Sequence, residues 1–196
     1  MMNFNVLENG TIYEVLLSSC NVDGTFNVRV FGLCVDDGNF VFELYPNVTL
    51  SNIRRNASFV VHFSSDILLY VMATLGLLSV DLTRCADCSV FCEVVSYSLC
   101  DVDDDYGKNI TTKIIAKPTK IIENNKTLPI INRSTSKIIE LLVDYTRIEY
   151  MNLHDFNAFL GRIEKTERFI EKNGNEKHKK AIRLIKKEMK KINLHD

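Results

Sequence analysis

Between Tyr45 and Phe63 the chain sets hydroxyl, amide and guanidinium side chains around what reads as one short helix. Pro46 breaks the strand before it, and Asn47 or Thr49 is a suitable N-cap for a helix carrying Leu50, Ile53 and Arg54. Asn56 offers a left-handed stop. The start of a helix exposes unpaired backbone N–H groups and a partial positive charge, which suits a phosphate. Thr49 and Ser51 would add hydroxyl donors there, and Arg54 or Arg55 would add charge. Capped helices are common and most bind nothing, so the pattern gains weight only in company.

Other residues able to do chemistry are more scattered. Cys85-x2-Cys88-x3-Cys92 with Cys100 is the most metal-like spacing, but a structural zinc site prefers two paired clusters. Strand alternation puts Cys88, Cys92 and Cys100 on one face, which suits small core residues equally well, so no metal site is expected. Of the four histidines, His62 is the one at a candidate site, either as a hydrogen-bonded core residue or as a ligand contact. The basic run Lys177 to Lys191 lies opposite an apolar stripe and lacks interleaved aromatics, so it reads as a solvated helix face rather than a nucleic-acid surface. Asn132-Arg133, just before a helix start, could bring a guanidinium to a phosphate or carboxylate, or form a structural salt bridge.

These residues need a scaffold, and its class is legible. With 46% apolar and 25% charged residues among 196, the composition is that of an ordinary globular protein with a sizeable core. Residues 1–128 carry a net charge of −6 and residues 129–196 a net +5, which suggests two modules divided there. The longest uncharged apolar run, Ile67 to Val80, is too short to cross a bilayer. The segment before Leu17-Ser18-Ser19-Cys20 contains Glu8 and Glu14 and no basic residue, so a signal peptide is not expected. A cytoplasmic location with reduced thiols follows.

Thr11–Ser19, Phe26–Val35 and Phe40–Leu44 read as strands joined by turns at Asn21–Gly24 and Asp36–Asn39. Phe59–Phe63 is a further strand, and Asp66 begins a short helix through Leu68, Leu69, Met72 and Leu75 that Gly76 ends. Val90–Leu99 is a strand, Asp101–Gly107 an acidic loop, and Thr111–Ala116 with Thr119–Ile122 one or two more strands. Six or seven strands with few helices suggest a small closed barrel. Beyond Pro129 the period becomes helical, with one helix capped at Ser134, a second from about Asn152 and a third over Glu176–Ile192.

The segment Thr11–Gly76 resembles an archaeal family of uncharacterised flavoproteins built on the FMN-binding split barrel, the fold of flavin reductases and pyridoxamine-phosphate oxidases. The matching features are the Asp23-Gly24 turn, Asn27 five residues before Gly32, Thr49-x-x-x-Ile53, Phe59-Val60-Val61 and the Leu-rich helix ending at Gly76. Ile131-Asn132-Arg133, Ile139–Val143, Thr146-Arg147 and the helical hairpin from Asn152 to Ile192 are similar to the rest of that family. The resemblance implies a split barrel over residues 1–128, a C-terminal helical region over 129–196, and FMN held at a homodimer interface. The phosphate would lie near Thr49 and Asn52, and the isoalloxazine near Val30, Phe31 and Gly32; His62, Asn132 and Arg133 stand beside these as candidate cofactor contacts read from the residues themselves. Relatives usually carry Pro at the position of Val30, a small residue at that of Arg29, and Asn where His62 stands.

The expected function is that of an FMN-binding protein, a flavin-dependent oxidoreductase of unknown substrate. Hydride would pass between FMN and a nicotinamide, a deazaflavin or another substrate. A non-enzymatic module holding FMN or a phosphorylated ligand is the alternative. The expected partners are a second copy and a flavin nucleotide, with neither membrane nor nucleic acid.

Overall fold

A computed structural model describes residues 6–104, 107–125, 127–148 and 151–190. It divides into two compact units, one of residues to Asn9 with Tyr13–Ile131, the other of Gly10–Ile12 with residues from Asn132. The first unit holds β1 (Ile12–Cys20), β2 (Phe26–Asp36), β3 (Asn39–Leu44), α1 (Val48–Asn56), β4 (Ser58–Phe63), α2 (Ile67–Thr74), β5 (Cys88–Asp104) and β6 (Gly107–Glu123). The six strands close into one barrel in the order β1-β2-β3-β6-β5-β4, so the expected barrel is present. Closure leaves no unpaired edge.

Side chains alternate across each strand and sort into two clusters. Val15, Leu17, Leu33, Phe40, Phe42, Phe59, Phe63 and Ile114 fill the interior. Phe42 meets Phe59 edge to face with centroids 5.6 Å apart, and Phe40 meets Phe63 at 6.5 Å. Each such ring stabilises the barrel by roughly 1.5–3 kcal/mol. Leu16 and Val28 face outward and are covered by Tyr70 and Ala73 of α2 with Leu78 and Leu82. The inward face of α2 is therefore Tyr70 and Ala73, with Leu69 and Met72 packed partly buried beside them, while Leu68 and Leu75 are exposed. Phe40, Phe42 and Leu44 are each 1% exposed, so β3 has no apolar surface to offer a second subunit.

The segment Asp101–Gly107 is not a loop across its described part. Asp101 pairs with Ile110 and Asp104 with Gly107, so β5 and β6 form one long hairpin. Asp101 is exposed, so its carboxylate stays in water while the backbone ladder continues. Of the one or two strands expected after Thr111 there is one, running through Pro118 at an irregularity where Phe91 faces Lys120 and Cys92 faces Pro118. A bulge there accommodates a residue that cannot donate to the ladder.

α1 is capped by Asn47, whose side chain accepts from Leu50 N at 2.9 Å. Its left-handed stop is Ala57, φ +51°, and not Asn56. The Asn56 amide instead donates to the Cys20 carbonyl at 3.1 Å.

The second unit contains α3 (Arg133–Tyr145), α4 (Leu153–Asn173) and α5 (Glu176–Met189). Ile138, Leu141, Phe156, Phe159, Ile163, Ile170, Ile182 and Ile185 form its core, at the helical spacing that the sequence shows. Asn132, rather than Ser134, caps α3 and accepts from Thr135 N at 3.0 Å. Ser134 lies two residues past the cap position and donates to the Asn173 carbonyl at 3.3 Å. Ile192, expected in the last helix, lies outside the described residues.

Candidate functional site

α1 plugs one end of the barrel, burying Leu50 and Ile53 in its interior. The same helix turns Thr49 and Asn52 inward, and each is at most 3% exposed. A buried amide or hydroxyl must find partners, and here these residues find one another. Asn27 Nδ2 of β2 donates to Thr49 Oγ1 at 2.7 Å and to Ser19 Oγ of β1 at 3.3 Å. Asn52 Nδ2 donates to Ser19 Oγ at 3.2 Å and to Asn21 Oδ1 at 2.7 Å. Arg55 donates to Asn52 Oδ1 at 3.1 Å and also to the Cys20 carbonyl. The lattice locks β2 to α1. Thr49 and Asn52 are thus brought together, with side chains turned into the protein; of the first turn it is Val48, 60% exposed, that lies open at the helix start, where backbone N–H groups lack intrahelical acceptors.

Just beyond Asn27, β2 changes character. Val28, Leu33 and Val35 are buried, whereas Arg29, Val30, Phe31 and Gly32 are half-open in succession. A glycine in such a strip permits close approach of another group to the backbone. Arg29 donates to its neighbour's carbonyl, Val28 O, at 2.7 Å and to Ala73 O in the last turn of α2 at 3.4 Å.

His62 lies apart from this strip, on the outer face of the barrel wall. Register places it between Leu16 of β1 and Ser89 of β5. Its Nε2 is 2.8 Å from Ser18 Oγ and its Nδ1 2.7 Å from Ser89 Oγ. At 1% exposure, burial pushes its pKa down to about 4, only partly opposed by the Asp81 carboxylate. The ring is neutral and both nitrogens are occupied, so it offers none to a ligand.

Ser18 also lines an open cleft of about 500 Å³ on the outer wall, together with Phe26, Ser58, Val60, Phe91 and Glu93. None of Val30, Phe31, Gly32, Thr49, Asn52 or His62 is among its lining residues. The half-open strip of β2 and this cleft are different places.

In the helical unit, Asn132 is engaged as the cap of α3. The Arg133 guanidinium carbon stands 5.9 Å from the centre of the Phe169 ring, which Lys137 also approaches at 5.1 Å. The basic face of α5 is paired with α4, Lys186 with Glu167 at 2.5 Å and Arg183 with Glu171 at 3.8 Å.

Cys88 and Cys92 belong to the barrel core, where burial pushes both thiols up, Cys88 to about 11. Cys100 does not share their face. An irregularity between Val94 and Ser96 sets Tyr97, not Ser96, opposite core Ile114, which turns Cys100 the other way. Among the described residues no three or more His, Cys, Asp or Glu side chains gather to hold a metal.

Sequence reasoning missed Ser18, Ser19, Asn21 and Ser89. The available signal was a pair of serines ending an otherwise apolar strand, since polar groups placed in a core-forming run need partners from elsewhere.

The chain is similar to an FMN-bound protein from Methanosarcina mazei, 20% identical, over 92% of this chain and 96% of that one, with a TM-score of 0.49. It is also similar to the styrene monooxygenase flavin reductase from Pseudomonas putida S12, 14% identical over 58% of this chain and 82% of the other, TM-score 0.45. A flavoredoxin from Methanosarcina acetivorans matches at 16% identity over 65% and 76%, TM-score 0.43. Family models match both parts of the sequence, the DUF447 N-terminal domain at residues 13–125 and DUF447, a protein of unknown function, at residues 132–187. With both of its parts matched, this chain belongs to the DUF447 family.

Proposed function

We propose that this protein binds FMN and is a flavin-dependent oxidoreductase, exchanging hydride between the flavin and a nicotinamide, a deazaflavin or another substrate. Family membership supports this, because the M. mazei protein that matches the same family was crystallised with FMN bound. The observation that carries the reading here is the bond from Asn27 to Thr49. It fixes the half-open strip Val30–Gly32 at a set distance from the first turn of α1. A flavin nucleotide needs that pair of surfaces, a flat open strand for its ring and a helix start for its phosphate.

Val30, Phe31 and Gly32 would hold the isoalloxazine, and the exposed start of α1 at Val48 the phosphate. Thr49 and Asn52 serve by anchoring α1 to β2. The reading does not rest on His62, Asn132 or Arg133, whose polar groups are engaged within the protein. When bound, the flavin supplies the hydride chemistry, and the chain binds, orients and shields it from water.

A homodimer and a cytoplasmic location complete the proposal. α2 and its exit expose Ile67, Leu68, Val71, Leu75 and Leu77, an apolar face fit to meet a second copy. No described helix is long and apolar enough to cross a membrane.

Titration of the purified protein with FMN tests the reading. Saturable binding near one flavin per chain, with bleaching by a nicotinamide or deazaflavin donor, is expected. Thr49→Ala with Asn52→Ala should weaken FMN by roughly 1–3 kcal/mol. Failure of the unaltered protein to bind FMN ends the proposal, and binding without bleaching by any donor removes its enzymatic half.

A further inference from the structure

We propose that Arg29 is the counter-charge for the flavin ring in its reduced, anionic form; this rests on the FMN reading above. Arg29 is half-buried in the middle of β2. A guanidinium taken from water normally finds a carboxylate. Among the described residues its hydrogen bonds go only to two carbonyls, Val28 O and Ala73 O, with no carboxylate paired to it. Ala73 lies in the last turn of α2, so the cation also rests against the negative end of that helix. Two bonds leave further N–H donors of the fork unspent.

Gly76 leaves room beside one end of the guanidinium. At Gly76, φ +73°, a side chain's Cβ would stand 3.4 Å from Arg29 Nη2, and apart from Gly76 and its two chain neighbours nothing outside that guanidinium lies within 4 Å of it. A fixed cation therefore borders a space kept clear of side chains, immediately before the strip Val30–Gly32. Oxidised isoalloxazine is neutral. Uptake of two electrons and one proton, supplied in the test by dithionite and water, leaves the ring with one negative charge. A cation held beside the ring favours that state over the oxidised one.

The test is the reduction potential of bound flavin, measured against a reference dye during dithionite titration, with FMN and with riboflavin. Arg29→Gln should weaken the reduced flavin relative to the oxidised by at least tenfold, a fall of about 30 mV for a two-electron couple. The fall should be alike for FMN and riboflavin, and Arg29→Lys should recover most of it. An unchanged potential overturns the inference. So does a loss of oxidised-FMN affinity with riboflavin unaffected, which would make Arg29 a phosphate contact. A second measurement needs no variant. Reduced flavin on the unaltered protein should remain anionic at pH values where free reduced FMN has become neutral, and titration at or above the free value refutes the idea. Flavin bound with an unmoved potential sinks only the role of Arg29, whereas no binding of either flavin sinks the FMN reading itself.

Discussion

Acidification should destabilise this protein through His62 by an amount that the structure sets. The imidazole is 1% exposed between two serine hydroxyls, and burial holds its pKa at about 4 against 6.5 for a free histidine. A folded-state value below the unfolded one means that the unfolded chain takes up the proton first as pH falls. Stability is then full above pH 6.5 and is lost progressively down to about pH 4. Each tenfold step in proton concentration across that window is worth about 1.4 kcal/mol, so the loss is about 3 kcal/mol. Asp23, Asp81 and Asp87, all held below the usual carboxylate value by hydrogen bonds, add acid sensitivity at lower pH. A variant separates them. His62→Gln keeps a donor and an acceptor between Ser18 and Ser89 but cannot titrate. Urea denaturation followed by circular dichroism at pH 7 and pH 4.5 should show the unaltered protein losing roughly 2–3 kcal/mol more than His62→Gln over that interval. Equal losses in the two proteins would mean that His62 protonates freely in the fold, and the buried, neutral assignment would be wrong.

Ala57→Gly should raise stability by about 0.5–1 kcal/mol in thermal melts, since it relieves a left-handed alanine at a smaller entropic cost. Asn27→Ala should remove a buried donor from Thr49 and Ser19, lowering stability by about 1–3 kcal/mol and weakening FMN in isothermal titration; intact FMN affinity with lowered stability would separate the lattice from the site. Val71→Asp on the exposed face of α2 should leave the melting temperature of the subunit nearly unchanged while shifting light-scattering mass from dimer to monomer; an unaffected dimer would move the interface elsewhere.

What could be read from the sequence was local. The turn Asp37-Gly38 takes positive φ at both residues, and Gly24 and Gly76 do likewise, because that preference belongs to the residues themselves. The apolar stripes of α4 and α5 could be read for the same reason: helical period alone decides which residues share a face. The resemblance drawn from Asn27, Gly32, Thr49 and Ile53 anticipated the closed barrel, and the family match covers both parts of the chain.

Tertiary structure decided which polar atoms meet. Asn27 reaches Thr49 across 22 positions, Asn52 reaches Ser19 across 33, and His62 reaches Ser18 across 44. No spacing rule encodes such distances, because they are set by barrel closure and strand register. A shift of one residue would turn every side chain of a strand to its opposite face. The irregularity between Val94 and Ser96 does this to Cys100, and the path of Pro118 through the β5–β6 ladder follows from another such adjustment. Sequence determined the pieces and their local conformations. Only closure of the barrel could make Asn27, Thr49 and Asn52 a joint between strand and helix, because their hydrogen bonds are satisfied only when distant strands are held side by side.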